Sequence, residues 1–259
     1  MIDGDLENIF NDNISGSREI LFKVHDYIFS NLSSINDKPE LIRVLKEKLS
    51  CFEVIVKYLS FISYELASKG FITPDFLDDI IATEKLLPTI IAKRVSPLIK
   101  PHETILTFSN SFTVTETLLE LNKTIEFYVI VSESRPMLEG RIIAQKLLDK
   151  QIKVEFITES FLPNAIARCN MVMIGADVLL PNGDVINKVG SKLLGILCKE
   201  FCKPLYVLSS RLKRSDESYF TQKFGTKKEV WNTDHRLLQI NNPYLELLEN
   251  HFISKIITD

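Results

Sequence analysis

Glycine is scarce in this sequence, with nine residues in 259, and neither a glycine-rich dinucleotide fingerprint nor a P-loop occurs. The common backbone cradles for nucleotide phosphates are therefore missing. An excess of basic residues is missing too, the formal net charge being −3. Such a chain has no electrostatic footprint for a polyphosphate backbone, which argues against direct nucleic-acid binding. No apolar run reaches the length of a membrane span, so no membrane segment is expected. The opening residues, Met1 to Asp5, lack the basic and apolar regions of a signal peptide. Cysteines number four, in apolar or helical surroundings, and the expectation is a cytoplasmic protein with free thiols. Cys198 and Cys202 are four apart on one helical face, but no histidine or second cysteine pair supports them, and no metal or cofactor is expected.

What is present divides at about residue 100. From Ser17 to Lys93 the apolar residues recur at helical spacing, as in Ile42, Leu45, Leu49, Phe52, Ile55, Leu59 and Ile62. Breaks at Ser33 to Pro39 and at Gly70 to Pro74 give three helices, 17–32, 39–69 and 74–94, with Thr73-Pro74-Asp75 reading as the cap and first turn of the third. After Pro101 short β-rich runs alternate with helical stretches: Thr104–Phe108, Phe127–Val131, Val154–Ile157, Met171–Ile174 and Leu205–Leu208. These runs are apolar almost throughout, as in strands buried on both faces of a parallel sheet, with helices over 113–121, 137–149, 160–167 and 191–201 between them. The fold expected is α/β: an N-terminal helical domain, residues 1–100, followed by a Rossmann-like parallel-sheet domain, residues 101–259.

In such a sheet the loops after the strands converge on one edge, where ligands bind. Those loops read Ser109-Asn110-Ser111, Ser132-Glu133-Ser134-Arg135-Pro136, Gly175-Ala176-Asp177 and Ser209-Ser210-Arg211-Leu212-Lys213. Any one of them could simply cap the next helix. Together they share one edge and include Arg135, Asp177 and Lys213, which favours a site. The turn dipeptide Asn182-Gly183 announces a small hairpin, leading through Asn187-Lys188 to Gly190-Ser191 at a helix start, where backbone N–H groups favour an anion. An ordinary capped helix with a solvated lysine explains that segment equally well. Trp231 reads as a packing residue, and Ile253 to Ile257 as an apolar stretch compatible with a buried interface.

The run Thr107-Phe108-Ser109-Asn110-Ser111, the stretch Ser132-Glu133-Ser134-Arg135-Pro136 through Gly140-Arg141, Gly175-Ala176-Asp177, and Asn182 to Ser191 occur in one order. Lys203-Pro204-Leu205, Glu229-Val230-Trp231-Asn232 and Asn242-Pro243-Tyr244-Leu245-Glu246 follow. The chain, from about Ile14 onward, resembles the family uniting the initiation factor 2B alpha, beta and delta regulatory subunits with ribose-1,5-bisphosphate isomerase and methylthioribose-1-phosphate isomerase. The resemblance implies a helical domain joined to a Rossmann-like domain, paired into a homodimer or higher homo-oligomer. It also implies a phosphorylated small molecule as ligand. The isomerases convert an aldose 1-phosphate to a ketose phosphate with a cysteine and an aspartate; Asp177 matches the aspartate, and Ser109 stands where the cysteine would be. Phosphosugar contacts carried over by the same resemblance are Ser15, Gly16, Ser17, Arg18, Ser111, Arg135, Asn187, Lys188 and Lys213.

Two functions are therefore in view. Asp177 points to an isomerase-like enzyme acting on a sugar phosphate. Ser109, a far weaker proton carrier than a thiol, points to a non-catalytic regulator that senses a phosphorylated metabolite or nucleotide and acts through initiation factor subunits. A purely structural assembly subunit is a third reading, which would show a large apolar dimer face.

Overall fold

The computed structural model describes residues 4–12, 15–33, 37–220 and 222–259. Met1 to Asp3, Ile14 and the centre of the break after Ser33 lie outside the described residues. The chain opens with five helices: α1 (Gly4–Phe10), α2 (Ser17–Asn31), α3 (Lys38–Lys48), α4 (Glu53–Lys69) and α5 (Pro74–Val95). Their inward stripes, among them Ile20, Leu21, Leu45, Ile55, Tyr58, Leu59, Leu77 and Ile81, form one core. Thr73 Oγ1 accepts from Phe76 N–H at 3.2 Å, so α5 begins at the expected cap.

The helix expected over 39–69 is two. α3 ends at Lys48 and α4 starts at Glu53, with Leu49 to Phe52 forming a turn. The apolar period runs on through this turn because Leu49 is itself buried in the same core, so periodicity carries no mark of the break. The turn lets α3 fold back on α4, and Lys46 Nζ donates to Ser63 Oγ at 3.1 Å across the pair. α1 was not expected; it adds Leu6 and Ile9 to the helical core.

β1 (Thr104–Thr107), α6 (Phe112–Leu121), β2 (Tyr128–Ser132), α7 (Gly140–Asp149), β3 (Lys153–Ile157), α8 (Leu162–Arg168) and β4 (Met171–Ile174) follow in alternation. Then come β5 (Val178–Leu179), β6 (Val185–Lys188), α9 (Ser191–Glu200), β7 (Leu205–Leu208), α10 (Lys227–Val230), β8 (Leu245–Leu248) and β9 (Lys255–Ile257). Six strands make a parallel sheet in the order β3-β2-β1-β4-β7-β9. This is the doubly wound Rossmann order, which reverses direction between β1 and β4. β5, β6 and β8 form a separate antiparallel sheet whose first two strands flank the expected Asn182-Gly183 turn.

Two strands depart from expectation. β3 is an edge strand with Lys153, Glu155 and Phe156 exposed, so it is not buried on both faces; its charges suit an edge. The apolar Ile253 to Ile257 stretch supplies the opposite edge strand, pairing Ile256 with Val207 and Ile257 with Leu208. Trp231 is exposed, not packed.

α5 is the element that joins the two halves. Its first half, through Leu77 and Ile81, belongs to the helical core, and its second half, through Leu87, Ile91 and Val95, packs with α6 and α7 on one face of the sheet. α8 and α9 cover the other face. Among the described residues no helix is long and apolar enough to cross a membrane.

Gly190, ahead of α9, has φ +111°, and a Cβ there would lie 2.8 Å from the Phe108 ring. Gly190→Ala is expected to lower stability by about 1–3 kcal/mol through combined backbone strain and collision, measured by urea unfolding; wild-type stability would show that Phe108 moves aside freely.

Candidate functional site

The loops after β1 and β4 meet at the switch point of the sheet, and a cavity of about 150 Å³ lies over them. The α2 start, the α3–α4 turn, Lys223 ahead of α10 and Tyr244 ahead of β8 close its other sides. Ser15, Gly16, Ser17, Arg18, Ser109, Ser111, Asp177, Asn187, Lys188 and Lys213 all line it. Arg135 does not. It is exposed and its guanidinium donates to the Val230 carbonyl at 3.2 Å, bracing the α10 region instead.

Local geometry explains the sheet-edge motifs. Gly175 is required by close approach, since a Cβ there would collide with Ser111 Oγ. Ser111 caps α6, its Oγ accepting from Val114 N–H at 3.4 Å. Ser109 sits at φ +62°, a left-handed conformation unusual for serine, and its N–H donates to Ser134 Oγ at 2.8 Å. Ser134 N–H in turn donates to Glu159 Oε1 at 2.6 Å. Three successive strand-end loops are thereby tied together, and Ser134 shares the left-handed backbone of Ser109 at φ +64°.

Asp177 is half-buried and lines the cavity. Its N–H donates to the Ile186 carbonyl at 2.8 Å, which fixes it against β6. Desolvation pushes its carboxyl above the ordinary aspartate range, while the charges of Lys213, Lys188 and Lys223 pull it back. Lys213, 7% exposed, donates to the Ala176 carbonyl at 2.6 Å, one residue before Asp177. Burial lowers its pKa, and the charges of Asp177 and Glu84 oppose that. Lys188 donates to Glu139 Oε2 at 2.7 Å, so it is not the solvated cation that the bland reading of that segment required. Asn187 Nδ2 donates to Ser191 Oγ at 2.9 Å, which in turn donates to the Lys188 carbonyl.

From the helical half comes Arg18. It is 3% exposed, with its guanidinium 4.7 Å from the Phe112 ring centre and 5.1 Å from that of Phe22. Its Nη1 is buried and has no hydrogen-bond partner among the described residues. Buried unpaired donors are rare because each forfeits its hydration without replacement. Around it the α2 start offers Gly16 as cap, whose N–H donates to Glu19 Oε2 at 2.9 Å, and Ser15, whose N–H donates to Asp12 Oδ1 at 2.8 Å.

The start of α9 differs from expectation. Glu246 Oε1 accepts from Gly190 N–H at 2.6 Å and Lys192 N–H at 2.8 Å, so the anion favoured there is supplied by the chain itself. Cys198 is buried and Cys202 exposed, so the two do not converge.

Several cavity residues carried no local signal. Cys51 enters from the α3–α4 turn, its thiol pKa raised by burial, with Lys223 lowering it and Asp177 raising it further. Lys223 lies over the rings of Phe52 and Tyr244, at 5.4 and 5.8 Å. The Lys223 carbonyl accepts from Tyr244 N–H at 2.7 Å, and Glu229 Oε2 accepts from the Tyr244 hydroxyl and Asn242 at 2.6 and 2.8 Å. Their neighbourhood depends on contacts between distant segments, which no spacing encodes.

A profile of the Initiation factor 2 subunit family matches residues 73–259. The chain is 34% identical over 174 residues to a translation initiation factor eIF-2B subunit 2-like protein of Pyrococcus furiosus, covering 65% of this chain and 60% of that one. It is 27% identical over 194 residues to ribose 1,5-bisphosphate isomerase of Archaeoglobus fulgidus, covering 71% and 60%. The chain thus spans about 60% of the length of these curated relatives. The crystal structure of the Pyrococcus horikoshii OT3 translation initiation factor eIF-2B superposes with a TM-score of 0.81 at 21% identity, over 98% of this chain and 93% of that one.

Glu246→Ala removes both acceptor bonds at the α9 start and is expected to lower stability by about 1–2 kcal/mol in urea unfolding. Glu246→Gln, which keeps one carbonyl oxygen, should lose less. Equal losses would show that charge rather than hydrogen bonding dominates the cap.

Proposed function

We propose that this chain, which belongs to the Initiation factor 2 subunit family, binds a phosphorylated sugar in the cavity between its helical half and the β1/β4 switch point. The observation that carries this reading is Arg18: a nearly fully buried guanidinium, lining the cavity, with a donor that no described residue satisfies. A phosphate oxygen is the natural complement to such a donor. Lys188, Lys213 and Lys223 add positive charge along the same cavity, against Asp12, Glu139 and Asp177. The ligand class follows from the charge arrangement and from the relatives that are named as sugar-phosphate isomerases.

In this reading Asp177 is the proton carrier of an aldose-to-ketose isomerisation of the ribose 1,5-bisphosphate type. Its carboxylate takes a proton from the substrate and returns it at the neighbouring position. Its raised pKa brings it nearer to neutrality, where proton exchange in both directions is fastest. Ser109 contributes a hydrogen bond and orientation rather than a second exchangeable proton. The two domains we assign to residues 1–100 and 101–259 would enclose the ligand between them, in a cytoplasmic homodimer or higher homo-oligomer.

Ser109 supports a second reading. Lacking a thiol there, the chain would bind a phosphorylated metabolite or nucleotide without turning it over and signal through initiation factor subunits. Both readings share the ligand site and differ in the chemistry.

Thermal unfolding with ribose 1,5-bisphosphate, methylthioribose 1-phosphate, AMP, GDP and inorganic phosphate tests the shared part. A sugar phosphate at about 100 times its Kd is expected to add roughly 2.7 kcal/mol; no response to any of them would overturn the site. Asp177→Asn is expected to abolish isomerisation while ligand stabilisation persists. The wild-type rate should fall as pH drops through the raised pKa of Asp177, at a higher pH than an ordinary carboxylate would give. Turnover that is unchanged in the variant would remove Asp177 from the chemistry, and a bound ligand with no turnover would select the regulatory reading.

A further inference from the structure

Behind the cavity, and outside its lining, lies a buried acid. Glu84, on α5, is 1% exposed. Its Oε1 accepts from Ser210 Oγ, on the loop that leads to Lys213. Its Oε2 stands 3.3 Å from Arg18 Nε, yet neither of these two atoms completes a hydrogen bond. Elsewhere in the same molecule arginine and glutamate do form the fork. Arg43 donates to both oxygens of Glu40 at 2.8 and 2.7 Å, and Arg168 to both oxygens of Glu155. Those pairs are exposed and gain little. The buried pair, where hydrogen bonds would matter most, is the one that leaves them unmade.

We propose that Glu84 is the resident counter-charge of the anion site: it balances Arg18 without completing the fork, competes with an entering anion for it, and is linked to the Lys213 loop through Ser210. The proposal rests on the reading that the cavity takes a phosphorylated ligand. Three observations support it. The aromatic rings of Phe22 and Phe112 hold the guanidinium, so Glu84 need not orient it by hydrogen bonds. Burial pushes the Glu84 carboxyl up and the Arg18 and Lys213 groups down, and the opposite charges of Glu84 and the two cations counter both shifts. Glu84 also sits on α5 between Ile81, in the helical core, and Leu87, in the sheet core. Charge compensation and the join between the halves therefore coincide at one residue.

With Glu84 neutralised, Arg18 would keep the charge of Glu116 and Lys213 that of Asp177, and an entering anion would meet less competition. The test is thermal unfolding of the full chain with and without inorganic phosphate, for wild type, Glu84→Gln, Ser210→Ala and the double variant Glu84→Gln/Arg18→Gln. Glu84→Gln is expected to melt below wild type in the absence of phosphate and to gain about twice the wild-type shift or more on its addition. Ser210→Ala, which removes one bond to Glu84 without altering charge, should move the same way by less, and it serves if Glu84→Gln does not fold. The double variant should lose the extra phosphate response. An equal phosphate shift in Glu84→Gln and wild type, zero included, overturns the proposal, as does an extra response that survives Arg18→Gln. Wild-type failure with every sugar phosphate, beside a phosphate gain in Glu84→Gln, would sink the ligand reading and leave the role of Glu84 standing.

Discussion

Charge buried between the helical half and the sheet edge is the constraint around which this structure is arranged. Arg18, Glu84, Asp177 and Lys213 are brought from α2, α5, the β4 loop and the turn after β7, and none of them is well hydrated. Removing ions from water costs several kcal/mol each after relaxation unless opposite charges and hydrogen bonds replace the solvent. The four therefore tolerate only arrangements in which the halves sit close together. Apolar packing along α5 supplies the closeness, its two ends embedded in different cores.

The same principle separates two helix starts that look equivalent on paper. At α9 the dipole is satisfied internally by Glu246, and the segment is structural. At α2 the nearest acids, Asp12 and Glu19, hold Ser15 and Gly16, while the Arg18 donor stays unmatched. An unmatched donor in a cavity is where a ligand can gain what the chain has left unmade. This contrast leaves the unmet donor between the halves rather than at the helix following the Asn187-Lys188 segment.

Ser109 and Asp177 give the two functional readings their physical content. A serine hydroxyl in a left-handed, strained position can orient a ligand but exchanges its proton poorly. An aspartate raised by burial and balanced by three lysines can do both. The chain's relatives include proteins named as isomerases and proteins named as initiation factor subunits, as expected where function lives in the site and not in the fold.

Period and turn chemistry determined the class and order of elements from sequence: the change from helical spacing to short apolar runs near residue 100, the Thr73-Pro74 start of α5, and the β4 strand and its Gly-Ala-Asp loop are local patterns. Ser109, Ser111, Asp177 and Lys213 were legible because the C-terminal ends of parallel strands converge by topology, and Asn187 and Lys188 through the turn dipeptide ahead of them. Only the tertiary structure decided the turn between α3 and α4, whose apolar residues continue the period, and the use of Ile256 and Ile257 as an edge strand. It also decided that Arg135 faces away from the cavity, that Cys51 and Lys223 enter it, and that Glu84 stands behind Arg18. Those are contacts between residues tens to hundreds of positions apart. Local sequence sets conformation through neighbours a few residues away, whereas the partner of a buried charge is set by how whole elements pack.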